Sequence, residues 1–271
     1  MTAEVRFRRA YNDLGGRVSR YAPSGTHITF GPGGVSPAIR LLLIANIAVF
    51  IVLVFAEPGG RQLNPLVGLF GLTPDAFLTQ GRLWQIVTYL FLHGDVTHLL
   101  FNMLALWMFG VDLERRWGTQ AFTRYYFLTG IGAGLSTVVI SLMPLESVRV
   151  LYGVPTIGAS GAIYGLILAW AIVFPHRVIL FMMLFPIPAK VFAIIMGAIA
   201  FLSAVSAGGG GPVNQIAHLG GMIVGWIYLK GPTNLRLDLK YRLTKWRMDR
   251  MRRRFDVHRG GRDDNWKNHI H

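Results

Sequence analysis

Four polar side chains stand inside otherwise apolar stretches of this 271-residue chain. They are His98 and Asn102 in "THLLFNM", Ser160 in "GASGAIYG" and His218 in "AHLGGMIVG". A serine hydroxyl is a weak nucleophile unless a neighbouring base takes its proton. His218 is placed to be that base if the two segments pack together. Attack on a carbonyl creates an oxyanion, which needs preorganised donors. The Ser160 N–H, at the start of a helix and favoured by its dipole, is one candidate donor. His98 and Asn102 are spaced i,i+4, share a helix face and offer two more. No acid falls on any of these stripes, so the chemistry on offer is a Ser–His dyad rather than a triad.

Each residue also has an ordinary reading. A serine at a helix start is usually a cap or a packing residue. A membrane histidine is more often hydrogen-bonded structure or part of a proton path, and an asparagine there is more often an interhelical hydrogen bond. The four together are harder to explain as accident. The chain has no cysteine, which excludes thiol catalysis, disulfides and Cys metal sites. No acid–His cluster shares a face, so no metal is expected.

The elements that must position these residues are apolar blocks. The chain is 52% hydrophobic and only 15% charged, against roughly 25% charged for soluble domains. Six blocks run over 38–56, 97–113, 125–143, 158–174, 191–206 and 215–229. Several fall short of the roughly 20 residues a bilayer core requires. Short spans are tolerated where irregular backbone is buried or lines a wet cavity, so water inside the membrane plane is expected. The expected fold is all-α: a polytopic bundle of six transmembrane helices with both termini inside. That orientation leaves only Arg61, Arg82 and Arg149 outside among 27 Lys and Arg, as the positive-inside rule requires. It also puts His98, Asn102, Ser160 and His218 near the outer ends of the three inward-running helices.

Spacing ties two of those helices together. Ser160 is followed by Gly161 and Gly165, and His218 by Gly221 and Gly225. Such small-residue stripes let helix backbones approach closely, which would bring Ser160 and His218 to one contact line. Tyr164, one turn below Ser160, is placed to pack on the imidazole.

"GASGAIYG", "AHLGGMIVG" and "HLLFN" resemble the signatures of the rhomboid family of intramembrane serine proteases, over roughly residues 38–230. The resemblance implies that Ser160 is the nucleophile and His218 the base, with Gly158, His98 and Asn102 in the oxyanion region. "WMFGVDLERRWG" resembles the family's stretch after the second helix, which implies that Glu114 tethers helices. His93 matches a further loop histidine. One departure is Trp84–Gln85, where the family often carries Trp–Arg. The family cuts membrane-anchored substrates in or beside their transmembrane segment and uses no cofactor, so single-span membrane proteins are the expected partners and a bacterial inner membrane the expected location.

Around this core, 1–37 reads as a cytoplasmic arm and 231–271 as a basic cytoplasmic tail. The tail suits a topology signal and contact with anionic lipid headgroups; nucleic acid is an unlikely partner, because basic charge alone is weak evidence. Asp75–Gly94 is amphipathic and aromatic and is expected in the interface. Val178–Ala189, broken by Pro186 and Pro188, is expected to be interfacial or re-entrant. Two rival readings remain. One is a catalytically silent rhomboid-like protein that binds transmembrane clients. The other is a proton-coupled transporter, which would be expected to show intramembrane carboxylate pairs or inverted repeats.

Overall fold

The computed structural model describes residues 32–56, 65–144, 146–181, 185–206 and 212–231, with positions 244, 246, 248 and 250 of the tail. Most of the expected arm and most of the basic tail lie outside the described residues. Residues 1–33 and 34–271 form separate units, and the second holds the described helices and strands. In chain order its elements are α1 (Pro37–Ala56), α2 (Pro65–Phe70), α3 (Pro74–Thr79), α4 (Gln85–Thr88), α5 (Val96–Trp117), α6 (Thr119–Ser141), α7 (Glu146–Arg149), α8 (Ser160–Val173), β1 (Val178–Phe181), β2 (Phe185–Pro188), α9 (Ala189–Ser206) and α10 (Pro212–Lys230). The six long helices coincide with the six apolar blocks. Two of them, α1 and α5, are by themselves long and apolar enough to cross a membrane.

α8 is the centre. Ten of its 14 residues are buried, and α5, α6, α9 and α10 pack around it. A helix apolar on every side needs neighbours on every side. The peripheral helices turn large apolar residues outward: Leu41 and Phe55 on α1, Leu100 and Phe101 on α5, Ile194 and Val205 on α9. Outward apolar residues in this number suit a non-aqueous environment.

The described residues are mostly helical, and one segment departs from the all-α expectation. Val178–Phe181 and Phe185–Pro188 form an antiparallel hairpin, with Val178 opposite Pro188 and Leu180 opposite Pro186. Pro186 and Pro188 lack N–H donors and cannot continue a helix, but a two-stranded ribbon leaves edges that need no donor. Ile179 faces the core while Val178 and Leu180 are exposed. An isolated bridge between Leu72 and Thr156 adds a second extended contact. α6 also begins earlier than its apolar block, because Gly118, at φ 83°, closes α5 and starts α6 directly.

Asp75–Gly94 forms short helices. Trp84 Nε1 donates to the Leu69 carbonyl at 2.9 Å and Arg82 to the Gly68 carbonyl at 2.9 Å. Gln85, fully buried, donates to the Gly68 and Leu69 carbonyls and accepts from the Thr73 N–H, each at 3.2 Å. Gln85 thus anchors the loop through both ends of its amide.

Candidate active site

Ser160 is the first residue of α8, and His218 lies in α10. Ser160 Oγ and His218 Nε2 are 2.7 Å apart, a good O–H···N hydrogen bond. Tyr164 lies flat on the imidazole, with centroids 4.1 Å apart and planes 5° from parallel. The two helices meet backbone to backbone. A Cβ built on Gly221 would lie 1.9 Å from the Gly161 carbonyl oxygen, so no other residue fits there without parting the helices. The second glycine of each stripe does different work from the one expected. Gly165 and Gly225 both face α6, where the Tyr125 hydroxyl donates to the Gly165 carbonyl at 2.9 Å and fills the space beside Gly225.

His98 reaches the same place from α5. Asp95 caps that helix, its carboxylate accepting from the His98 N–H at 2.7 Å. His98 Nδ1 accepts from the Gly94 N–H at 3.3 Å. A neutral imidazole with Nδ1 accepting carries its proton on Nε2, so Nε2–H is the donor that His98 presents. Gly158 defines the spot: a Cβ there would lie 2.8 Å from His98 Nε2 and 3.8 Å from Ser160 Oγ. Its φ of +115° is also one that side chains other than hydrogen rarely allow. The Gly158 N–H donates to the Tyr89 carbonyl at 2.9 Å, which pins the strap that leads into α8.

Asn102 is buried below His98 and gives one N–H to the His98 carbonyl at 2.9 Å; the other remains to be offered. His93 packs edge-on against His98, with centroids 5.0 Å apart. It is 1% exposed, and burial, with His98 beside it, pushes its pKa down to about 4, so the ring is neutral. Glu114 stands apart at the other end of α5. It accepts from the Ser36 hydroxyl, from the Ala38 and Ile39 N–H groups at 2.9 and 3.2 Å, and from the Thr119 hydroxyl at 2.7 Å. It joins the starts of α1 and α6 to α5 and has no part in the Ser160 cluster.

These features place a hydroxyl, a base and at least one fixed donor around one small volume. A profile described as the Rhomboid domain matches residues 80–231, which contain all of them. The chain belongs to the rhomboid family. Rhomboid protease AarA of Providencia stuartii is 31% identical over 228 residues, which cover 77% of this chain and 78% of AarA. Rhomboid protease GluP of Bacillus subtilis is 30% identical over 190 residues, covering 70% of this chain but 34% of GluP. Rhomboid protein 1, mitochondrial, of Saccharomyces cerevisiae is 34% identical over 144 residues, covering 53% and 40%. The chain thus spans most of AarA and well under half of the other two. Membership of the rhomboid family makes it a membrane protein, in keeping with its outward apolar faces.

Three further residues hold this rhomboid site beside those expected from the sequence. Tyr89 holds Gly158 through its carbonyl and α6 through its hydroxyl, which donates to the Gly130 carbonyl at 2.6 Å; nothing in an isolated tyrosine signals this. Asp95 was readable as a helix cap from its place before "VTHLL". Gln215 Oε1 lies 3.1 Å from His218 Nδ1, and its i,i+3 spacing in "NQIAH" was the available signal.

Proposed function

We propose that the chain is an intramembrane serine endopeptidase that cleaves membrane-anchored proteins within or beside their transmembrane segment. The observation that carries this reading is the 2.7 Å contact between Ser160 Oγ and His218 Nε2, beside the His98 N–H donor. A silent client-binding relative would need neither group at that distance.

In this reading the six long helices span the membrane with both termini inside, in the bacterial inner membrane, and the basic tail meets anionic headgroups. At 1.5 Å per residue, the 14-residue α8 is about 21 Å long, against a hydrocarbon core of about 30 Å. In this reading the shortfall falls at its N-terminus, which would set Ser160 below the outer surface. Ser160 Oγ attacks the scissile carbonyl as His218 Nε2 takes its proton. The oxyanion is met by the Ser160 N–H, by His98 Nε2–H and by the remaining Asn102 N–H. The C–N bond breaks as His218 returns the proton to the leaving amine. A water admitted from the outer side, deprotonated by His218, then frees the acyl group.

A helical substrate hides its carbonyls in i to i−4 hydrogen bonds, so the scissile segment must be extended locally. Glycine near the cut helps, because it weakens a helix by roughly 1 kcal/mol relative to alanine. Access between α5 and α9 suits the packing: Phe109 stacks on Phe192 at 5.6 Å near the inner side, while Phe201, Leu202 and Val205 at the outer end of α9 are exposed. The test is incubation of detergent-purified protein with a panel of single-span substrates, wild type against Ser160→Ala. Cleavage that persists in Ser160→Ala would sink the assignment.

A further inference from the structure

His218 makes hydrogen bonds through both ring nitrogens. Nε2 meets Ser160 Oγ at 2.7 Å, and Nδ1 meets Gln215 Oε1 at 3.1 Å. Gln215 lies three residues earlier on α10, so its side chain runs along the same helix face. A neutral imidazole carries one proton, and a carbonyl-type oxygen can only accept. The contact at Nδ1 therefore fixes the proton on that nitrogen and leaves the Nε2 lone pair aimed at the serine. Tyr164 cannot make that choice, since it lies over the ring face, 5° from parallel, and offers neither nitrogen a partner in the ring plane. Were the amide turned over, its NH2 would donate to Nδ1, and Ser160 would face an N–H instead of a base.

We propose that Gln215 is a positioning residue for His218, the uncharged counterpart of a triad carboxylate; this rests on the Ser160–His218 reading above. Its amide oxygen selects the reactive tautomer before substrate arrives. Once His218 holds the serine proton, the same bond becomes charge-assisted and strengthens. An interaction that is stronger in the transition state than in the ground state raises turnover rather than affinity. A neutral amide achieves this without an ionised carboxylate inside the membrane, which would be costly.

The experiment uses the full chain in detergent, a cleavable single-span substrate and a small fluorophosphonate that modifies the active serine. In Gln215→Met, kcat falls about tenfold, the scale of one hydrogen bond, while KM stays within about twofold; probe labelling of Ser160 slows in step. Gln215→Asn, whose amide is too short to reach Nδ1, shows the same loss. Gln215→Glu, an acceptor that cannot donate when ionised, recovers most of kcat. Melting temperatures identify the folded variants to be compared. Wild-type kcat in folded Gln215→Met or Gln215→Asn, a loss confined to KM, or a Glu variant no better than Met would overturn the proposal. Labelling that requires His218 but ignores Gln215 overturns this proposal alone. Labelling indifferent to His218→Ala overturns the dyad and the proposal with it.

Discussion

Gly221→Ala adds one methyl group to the α8–α10 seam, and the consequence can be worked from distances. The new Cβ would lie 1.9 Å from the Gly161 carbonyl oxygen, whereas real Cβ contacts essentially never fall below 3.0 Å. The obstacle is backbone, so no rotamer change relieves it, and the helices must part by about 1.1 Å or more. Ser160 and His218 stand on opposite sides of that seam, 2.7 Å apart. A parting of this size carries them to nearly 4 Å, past the limit of about 3.2 Å for a useful hydrogen bond. Misplacement of about 1 Å at a reacting centre costs roughly 100-fold in rate, and overpacking costs about 1–3 kcal/mol in stability. The assay is cleavage of a single-span substrate together with the rate of Ser160 labelling, each at a temperature where the variant is folded. Gly197→Ala is the control. It lies on α9, where a Cβ would meet only Met222 at 3.5 Å, so activity should hold and the helix should gain up to about 1 kcal/mol. A folded Gly221→Ala with wild-type cleavage would refute the claim that this seam sets the Ser–His distance.

His98→Ala should lower turnover about 10²–10³-fold with substrate affinity held, as for loss of one oxyanion donor; Asn102→Ala should cost less, since one of its N–H bonds already serves the His98 carbonyl. Affinity falling at steady turnover would make them binding residues. Glu114→Ala strips the acceptor from the Ser36 and Thr119 hydroxyls and from the Ala38 and Ile39 N–H groups; at about 1–3 kcal/mol for each buried group left unpaired, the melting temperature should drop steeply, and an unchanged melting curve would refute the tether. An engineered disulfide joining the N-terminal half of α5 to the C-terminal half of α9 in this cysteine-free chain should block cleavage of whole substrates while the small probe still labels Ser160. Unchanged cleavage by verified cross-linked protein would exclude that route.

What the sequence made legible was whatever repeats with the period of a helix. The long helices follow from their apolar blocks, and the Gly161–Gly221 approach follows from two small-residue stripes. The hairpin at Val178–Pro188 did not follow, because a short apolar run with two prolines fits a strand ribbon and a re-entrant segment equally well by composition. Gln85 was obscured for another reason. A buried amide that satisfies three backbone groups is a product of how the loop between α2 and α5 folds back, and loop closure leaves no periodic trace. Gly225 was misassigned because a stripe identifies a close neighbour without saying which helix it is; Tyr125 of α6 fills that place.

The arrangement at Ser160 has a consequence for where selectivity resides. Ser160, His218 and His98 are fixed by contacts with little slack: glycine backbone at the seam, a stacked tyrosine and a capped helix start. Cores and seams of this density have discrete packings rather than a continuous range. Under the proposed protease function, the site therefore has little means of adjusting to different scissile carbonyls, and side-chain fit near the serine is a weak filter. Discrimination then falls to the step before, in which a client parts from its own helix to reach the proposed nucleophile. A client helix stabilised by a few kcal/mol near the cut would then lose rate by orders of magnitude, since each 1.4 kcal/mol is tenfold, with its contacts to Ser160 and His218 unchanged.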